Sequence, residues 1–188
     1  MKTLKCVLVL FTFVGLNLVG CSNESQSPVS PLEKSSMQKS FSREFTGDAI
    51  PTGVDFMGIF KYPDGKVMLK DHRGPTYFTA TFFDGTPDLL TGPGYVEING
   101  LSDYNTGVGQ WHGKLTLTPD AAEGGEWNFT WHGKATLGPS GWTIPLKEAG
   151  HGKGGVLGGM QCRMELIISA PADLSTWTGQ SHGFVISH

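Results

Sequence analysis

The residues best equipped for chemistry in this chain sit in a repeated element. Trp111-His112-Gly113-Lys114-Leu115-Thr116-Leu117 recurs twenty residues later as Trp131-His132-Gly133-Lys134-Ala135-Thr136-Leu137. His151-Gly152-Lys153 repeats the centre of the element, and His182-Gly183 is a partial further copy. Imidazoles bind metals and move protons near neutral pH. A row of His112, His132 and His151 could therefore hold a metal, or, with its flanking lysines, an anion. The lysines repel cations, and no His-x-His or Cys-x-x-Cys spacing accompanies the row. The leading reading is structural: Trp and Leu fill a core, Gly permits close packing, and His and Lys face water.

Two other motifs resemble catalytic ones. Gly179-Gln180-Ser181-His182-Gly183 has the spacing of a nucleophile elbow, but that elbow needs a following helix and a later acid, and neither fits before His188. Gly150-His151-Gly152-Lys153-Gly154-Gly155 has dinucleotide-fingerprint spacing, but a β-like run follows it instead of a helix. Cys162 alternates in phase with Met160, Met164, Leu166 and Ile168, so it reads as a buried apolar residue. No catalytic residue is assigned, and no cofactor is expected.

Strands must position these groups. Period-two alternation is widespread, and no helical-length window shows a 3.6-residue apolar period. Candidate strands are 54–61, 66–70, 75–83, 94–101, 108–119, 125–138, 141–147, 155–169 and 176–187. Turn signals such as Pro63-Asp64-Gly65 and Gly138-Pro139-Ser140-Gly141 separate them. The fold class is all-β, a single antiparallel β-barrel of eight or nine strands, with a β-sandwich as the alternative. Folding 108–119 against 125–138 as a hairpin brings His112 near His132 or Lys134 on the polar face. Trp127, Phe129 and Trp131 take the apolar face.

The N-terminus carries a different kind of signal. Lys2 and Lys5 precede an apolar run, Cys6 to Val19, too short for the 17–25 residues of a membrane span and typical of a secretory signal. Leu18-Val19-Gly20-Cys21 resembles the lipobox of bacterial lipoproteins. The resemblance implies removal of residues 1–20, acylation of Cys21, and anchoring in the cell envelope, expected at the outer membrane. Residues 21–46 comprise the lipidated cysteine and a Ser-rich disordered tether, and 47–188 the barrel domain. Removal of Lys2 and Lys5 leaves 12 basic against 17 acidic residues, which excludes a polycationic nucleic-acid binder. Only Cys162 then remains unmodified, so no intramolecular disulfide forms. Glycine, 27 of 188 residues, is about twice its usual share, in keeping with many turns and closely approached strands.

The run from Gly150 to Met160 resembles the glycine-rich strand pair of allene-oxide-cyclase-like and other calycin-type barrels, over about a dozen residues. That resemblance implies an eight-stranded barrel with an apolar cavity and transfers no activity. The functional expectation is a non-enzymatic envelope lipoprotein whose barrel binds a small apolar ligand, with Trp111, Trp127, Phe129 and Trp131 as lining residues. The alternatives are an adaptor lipoprotein that binds a protein partner, and an isomerase- or cyclase-type enzyme with a titratable group pointing inward.

Overall fold

The computed structural model describes residues 41–187. Cys21 and the signal lie outside these described residues. Nine strands follow in order: β1 (Phe41–Pro51), β2 (Ile59–Lys61), β3 (Lys66–Phe82), β4 (Gly92–Asp103), β5 (Val108–Leu117), β6 (Glu126–Gly138), β7 (Gly141–Lys153), β8 (Gln161–Ala170) and β9 (Thr178–Ser187). From β2 to β9, each strand pairs antiparallel with the next in sequence. β1 closes the ring by pairing with β9 through Phe45↔Gly183 and with β3 through Phe45↔Phe82. Eight strands thus form an antiparallel barrel, with β2 added outside the ring on β3. Closure decides for the barrel and against the sandwich, because a sandwich would leave two sheets with free edges.

Alternation carries the core. On β6, Trp127, Phe129, Trp131 and Ala135 are buried while Thr130, His132 and Lys134 are exposed. On β8, Cys162, Met164, Leu166 and Ile168 face inward. One barrel end is stoppered by Leu89 and Leu90, whose turn is held by Asp88 Oδ1 accepting from the Leu90 and Thr91 N–H groups at 2.8 Å. Trp127 Nε1 donates to the Leu89 carbonyl at 2.8 Å. Toward the other end, Trp142 packs edge-on against Tyr104 at 5.3 Å, and Leu174, in the loop joining β8 to β9, is buried.

Several sequence boundaries are corrected. The domain does not begin at residue 47: β1 starts at Phe41, and Phe45 is fully buried. A Ser- and Lys-rich neighbourhood masks the two inward residues, Phe45 and Ala49, that β1 needs. The expected strand 54–61 shrinks to β2, with an isolated bridge Phe56↔Arg73, because this segment lies outside the ring with Val54, Phe56 and Phe60 exposed. The expected 66–70 and 75–83 are one strand, β3. Its register shifts between Leu69 and His72, where Asp71 takes φ 51° and donates its N–H to Asn99 Oδ1 at 2.9 Å. The strand expected over 141–147 runs on to Lys153, and the one expected from 155 begins at Gln161, after a 3₁₀ turn at Gly155–Leu157.

Because β1 makes both closing ladders, a chain truncated to begin at Gly47 should melt well below one that begins at Gln38. Phe45→Ala should cost roughly 3–5 kcal/mol and Lys134→Ala, on the outer face, no more than about 0.5 kcal/mol. Equal midpoints for the two truncations in a circular-dichroism melt would contradict the closing role of β1.

Candidate functional site

The two copies of the repeat face each other across β5 and β6, with His112 directly opposite His132. Trp111 pairs with Gly133 and Trp131 with Gly113; the Trp131 indole lies over Gly113, while the Trp111 indole lies over Gly100 on the other neighbouring strand. A Cβ at Gly113 would come within 2.3 Å of the Trp131 ring, and one at Gly150 within 2.4 Å of Phe129. The repeat is therefore a packing unit: glycine leaves the room that the neighbouring aromatic occupies.

On the outer face the imidazole row continues, but not through His151. His132 stands opposite Lys147, Lys147 opposite Glu165, and Glu165 opposite His182, whose Nε2 lies 2.8 Å from Glu44 Oε1. His151 pairs with Asn128, four residues along β7 from Lys147, or about 13 Å away. The expected trio is thus a pair plus an outlier. Among the described residues, no group of three His, Cys, Asp or Glu side chains is placed to hold a metal. The part of the row from His132 to His182 borders a shallow, open depression of about 720 Å³ that also takes in Arg163 and Phe184.

On the inner face, Trp111, Trp127, Phe129 and Trp131 are all at most 5% exposed. Trp111 Nε1 donates to Ser102 Oγ at 2.8 Å, and Trp127 stacks at a tilt on Phe129, with ring centres 5.9 Å apart. Of these four, only Trp131 borders the cavity inside the barrel, whose volume is about 20 Å³. That is room for one water molecule. Trp111, Trp127 and Phe129 are core residues and not the wall of an open lumen.

The sequence reading missed the residue that makes this cavity unusual. Glu148 occupies an inward position of β7, in phase with Ile144, Leu146 and Gly150, and is 5% exposed. Its Oε2 is buried without a hydrogen-bond partner. Burial pushes its carboxyl up to about 8, so it holds its proton at neutral pH. Cross-strand from it stand Trp131 and Met164. The nearby Cys162 thiol is pushed up by burial, with a further contribution from Glu148, which leaves it unreactive. An acid in the apolar phase of an alternating strand was the available signal.

A second opening lies where the ring is thinnest. β1 leaves β9 after Ala49↔Gly179 and leaves β3 after Pro51↔Thr76. Beyond that point residues 171–177, between β8 and β9, face the 51–54 segment and β3 across a pocket of about 220 Å³. His72 borders it, half-buried, with Nδ1 buried and unpartnered. Burial lowers its pKa, which favours the neutral ring. Trp177 and Val96 wall both this pocket and the inner cavity.

The catalytic-looking motifs take structural places. Ser181 lies within β9 and donates to the Gly47 carbonyl at 3.0 Å, across the β1–β9 closure. Gly150–Gly155 spans the end of β7 and the start of the 3₁₀ turn. Comparison with protein-family models, curated proteins and solved structures finds no match.

Between the ordinary carboxyl value of 4.5 and about 8, the folded protein keeps the Glu148 proton that the unfolded chain releases. Stability from this group therefore falls as pH rises through that window, by an amount on the order of a few kcal/mol. The lowered His72 value works in the opposite sense, since the unfolded chain then binds more protons as pH falls below about 6.5. Comparing wild type with Glu148→Gln isolates the carboxyl. In urea unfolding from pH 5 to pH 8, the variant should lack the decline that Glu148 imposes. Identical pH profiles for the two proteins would contradict the buried, protonated carboxyl.

Proposed function

We propose that this chain is a lipid-anchored protein of the bacterial cell envelope, held by an acylated Cys21 at the outer membrane, whose barrel binds a small, largely apolar organic ligand without transforming it. The observation that carries the binding reading is the unpartnered Glu148 carboxyl in a largely apolar interior, on the wall of a cavity of about 20 Å³. A buried polar group left without a hydrogen bond costs about 1–3 kcal/mol. Retention of that cost in the core fits a group kept for something that binds. The ligand site is moved from the Trp111–Trp127–Phe129 wall to the part of the interior bounded by Trp131, Glu148 and Trp177. The titratable group near this protonated acid, the Cys162 thiol, is itself held protonated by burial, which supports binding over isomerase chemistry, since that needs a base and a proton donor in mutual reach.

The adaptor reading rests on a separate observation. Lys147 and Arg163 border the outer depression, and among the described residues neither has a carboxylate within 4.0 Å. Phe184 is 41% exposed beside them. Such a wall suits an acidic protein partner.

Native mass spectrometry of the full, lipidated chain separates the two. A co-purifying small molecule, lost in a variant that fills the inner cavity, supports the binding barrel, whereas a second polypeptide and no small molecule supports the adaptor. The anchor has its own test. Cys21→Ala should abolish palmitate labelling and leave an uncleaved precursor, and normal processing of that variant would overturn the lipoprotein assignment.

A further inference from the structure

We infer that Trp177 is the movable plug of a single gated site, running from the His72 pocket at the seam to Glu148 inside the barrel, and that the site takes a neutral, ring-sized molecule bearing a hydrogen-bond acceptor such as a carbonyl oxygen. This rests on the binding reading and specifies its entrance and its ligand class.

The geometry supplies the passage. The outer pocket of about 220 Å³ and the inner cavity of about 20 Å³ share two walls, Val96 and Trp177. Val96 is a β4 residue held in ladders to both Gly74 and Leu115, so it cannot withdraw without breaking the sheet. Trp177 is the last residue of the β8–β9 loop, outside every ladder. Its loop is fastened at the other end: the Leu174 N–H donates to the Pro171 carbonyl at 3.0 Å, and the Tyr104 hydroxyl donates to the Ala172 carbonyl. Leu174 itself is buried. Trp111 and Trp127 fix their indole N–H groups with hydrogen bonds; among the described residues Trp177, like the fully buried Trp142, makes no such bond, but unlike Trp142 it is only half-buried. Rotation of this one side chain would join the two spaces and add the volume of an indole to them.

Chemistry at the two ends selects the ligand. The interior walls between them are apolar: Ala49, Phe78, Ile98, Leu115, Leu166 and Ile168. Each end has one buried polar atom without a partner, Glu148 Oε2 inside and His72 Nδ1 at the mouth. Thr76, the other polar side chain in the inner wall, already donates to the Ile50 carbonyl at 2.6 Å. A protonated carboxyl offers an O–H donor, and a neutral imidazole offers one donor and one acceptor. The inner end provides no full charge to pair with an ion, and burying an unpaired ion is costly; the charged side chain at the mouth, Arg73, lies over the Phe56 ring, 5.9 Å from its centroid. An engineered apolar cavity of roughly 150 Å³ accepts benzene, so the seam pocket admits one ring before the plug moves.

The test uses the full, lipidated chain in detergent, with cyclohexanone as the probe and methylcyclohexane as the isostere that lacks an acceptor. Binding is read by ligand-observed NMR and by tryptophan emission. Wild type should bind cyclohexanone saturably and about tenfold better than methylcyclohexane, the factor expected of one buried hydrogen bond. Glu148→Leu should bind the two equally, and Glu148→Gln, whose amide still donates, should keep the preference. Trp177→Ala should speed association about tenfold or more. Because Trp177 lies in a loop, this variant tests the gate even if a core substitution at Glu148 unfolds the barrel. Binding by neither wild type nor Trp177→Ala overturns the proposal, and the absence of any co-purified molecule as well would take the binding reading with it. Saturable binding indifferent to Trp177 and Glu148 overturns the gated site alone and leaves a binding barrel with its site elsewhere.

Discussion

The packing of aromatic rings over glycines on the neighbouring strand holds this barrel together. Trp111 lies opposite Gly100 and Gly133, Trp131 opposite Gly113, Phe129 opposite Gly150 and Trp127 opposite Gly152. A small eight-stranded barrel has just enough interior for its own side chains. At Gly100, Gly113 and Gly150 the missing Cβ leaves the room that the rings of Trp111, Trp131 and Phe129 occupy. The arrangement accounts for the high glycine content, for the repeated Trp-His-Gly-Lys element and for an interior with almost no free volume. It also settles what the aromatic wall is for. Rings locked against glycine backbones bury large apolar areas, and they cannot line an open vessel.

Against that packed background the exceptions stand out physically. The ring closes through β1 alone, and only over half the height of β3. Where β1 ends, hydrogen-bonded strand is replaced by a loop, which walls the seam pocket with Leu174–Trp177 and reaches the inner cavity through the half-buried ring of Trp177. The inner cavity and the seam pocket lie on either side of that ring. The unpartnered acid Glu148 faces one of those spaces and the unpartnered His72 nitrogen the other. A barrel selected only for stability would fill both positions with apolar side chains, because buried polar groups without partners lower stability.

The outer wall follows a different logic. Alternation that sends aromatics inward sends His112, His132, Lys147, Glu165 and His182 outward at one height. The row is a by-product of register: each antiparallel pairing carries the polar phase of one strand to the same level on the next. Its charges meet water, where pairs are worth little, so the fold places no demand on their identity.

The all-β class, the inward and outward faces of β6 and β8, the β5–β6 hairpin and the burial of Cys162 were legible in the residues alone. All of these follow from period-two alternation and local turn chemistry, which act within a few residues. Glu148 was also legible, as an acid in the apolar phase of β7, but an acid in a strand carries no local mark of where its carboxyl ends up. Folding in three dimensions was needed to place Phe41–Thr46 in the barrel, to take His151 out of the histidine row, to fill the aromatic face and to set Trp177 between two spaces. The inclusion of Phe41–Thr46 and the closing of the ring depend on pairing between segments far apart in the chain, Phe45 with Phe82 and Gly183, and the place of His151 depends on the register of β6 against β7. Local pattern sets which way a side chain points, and ring closure sets what it meets.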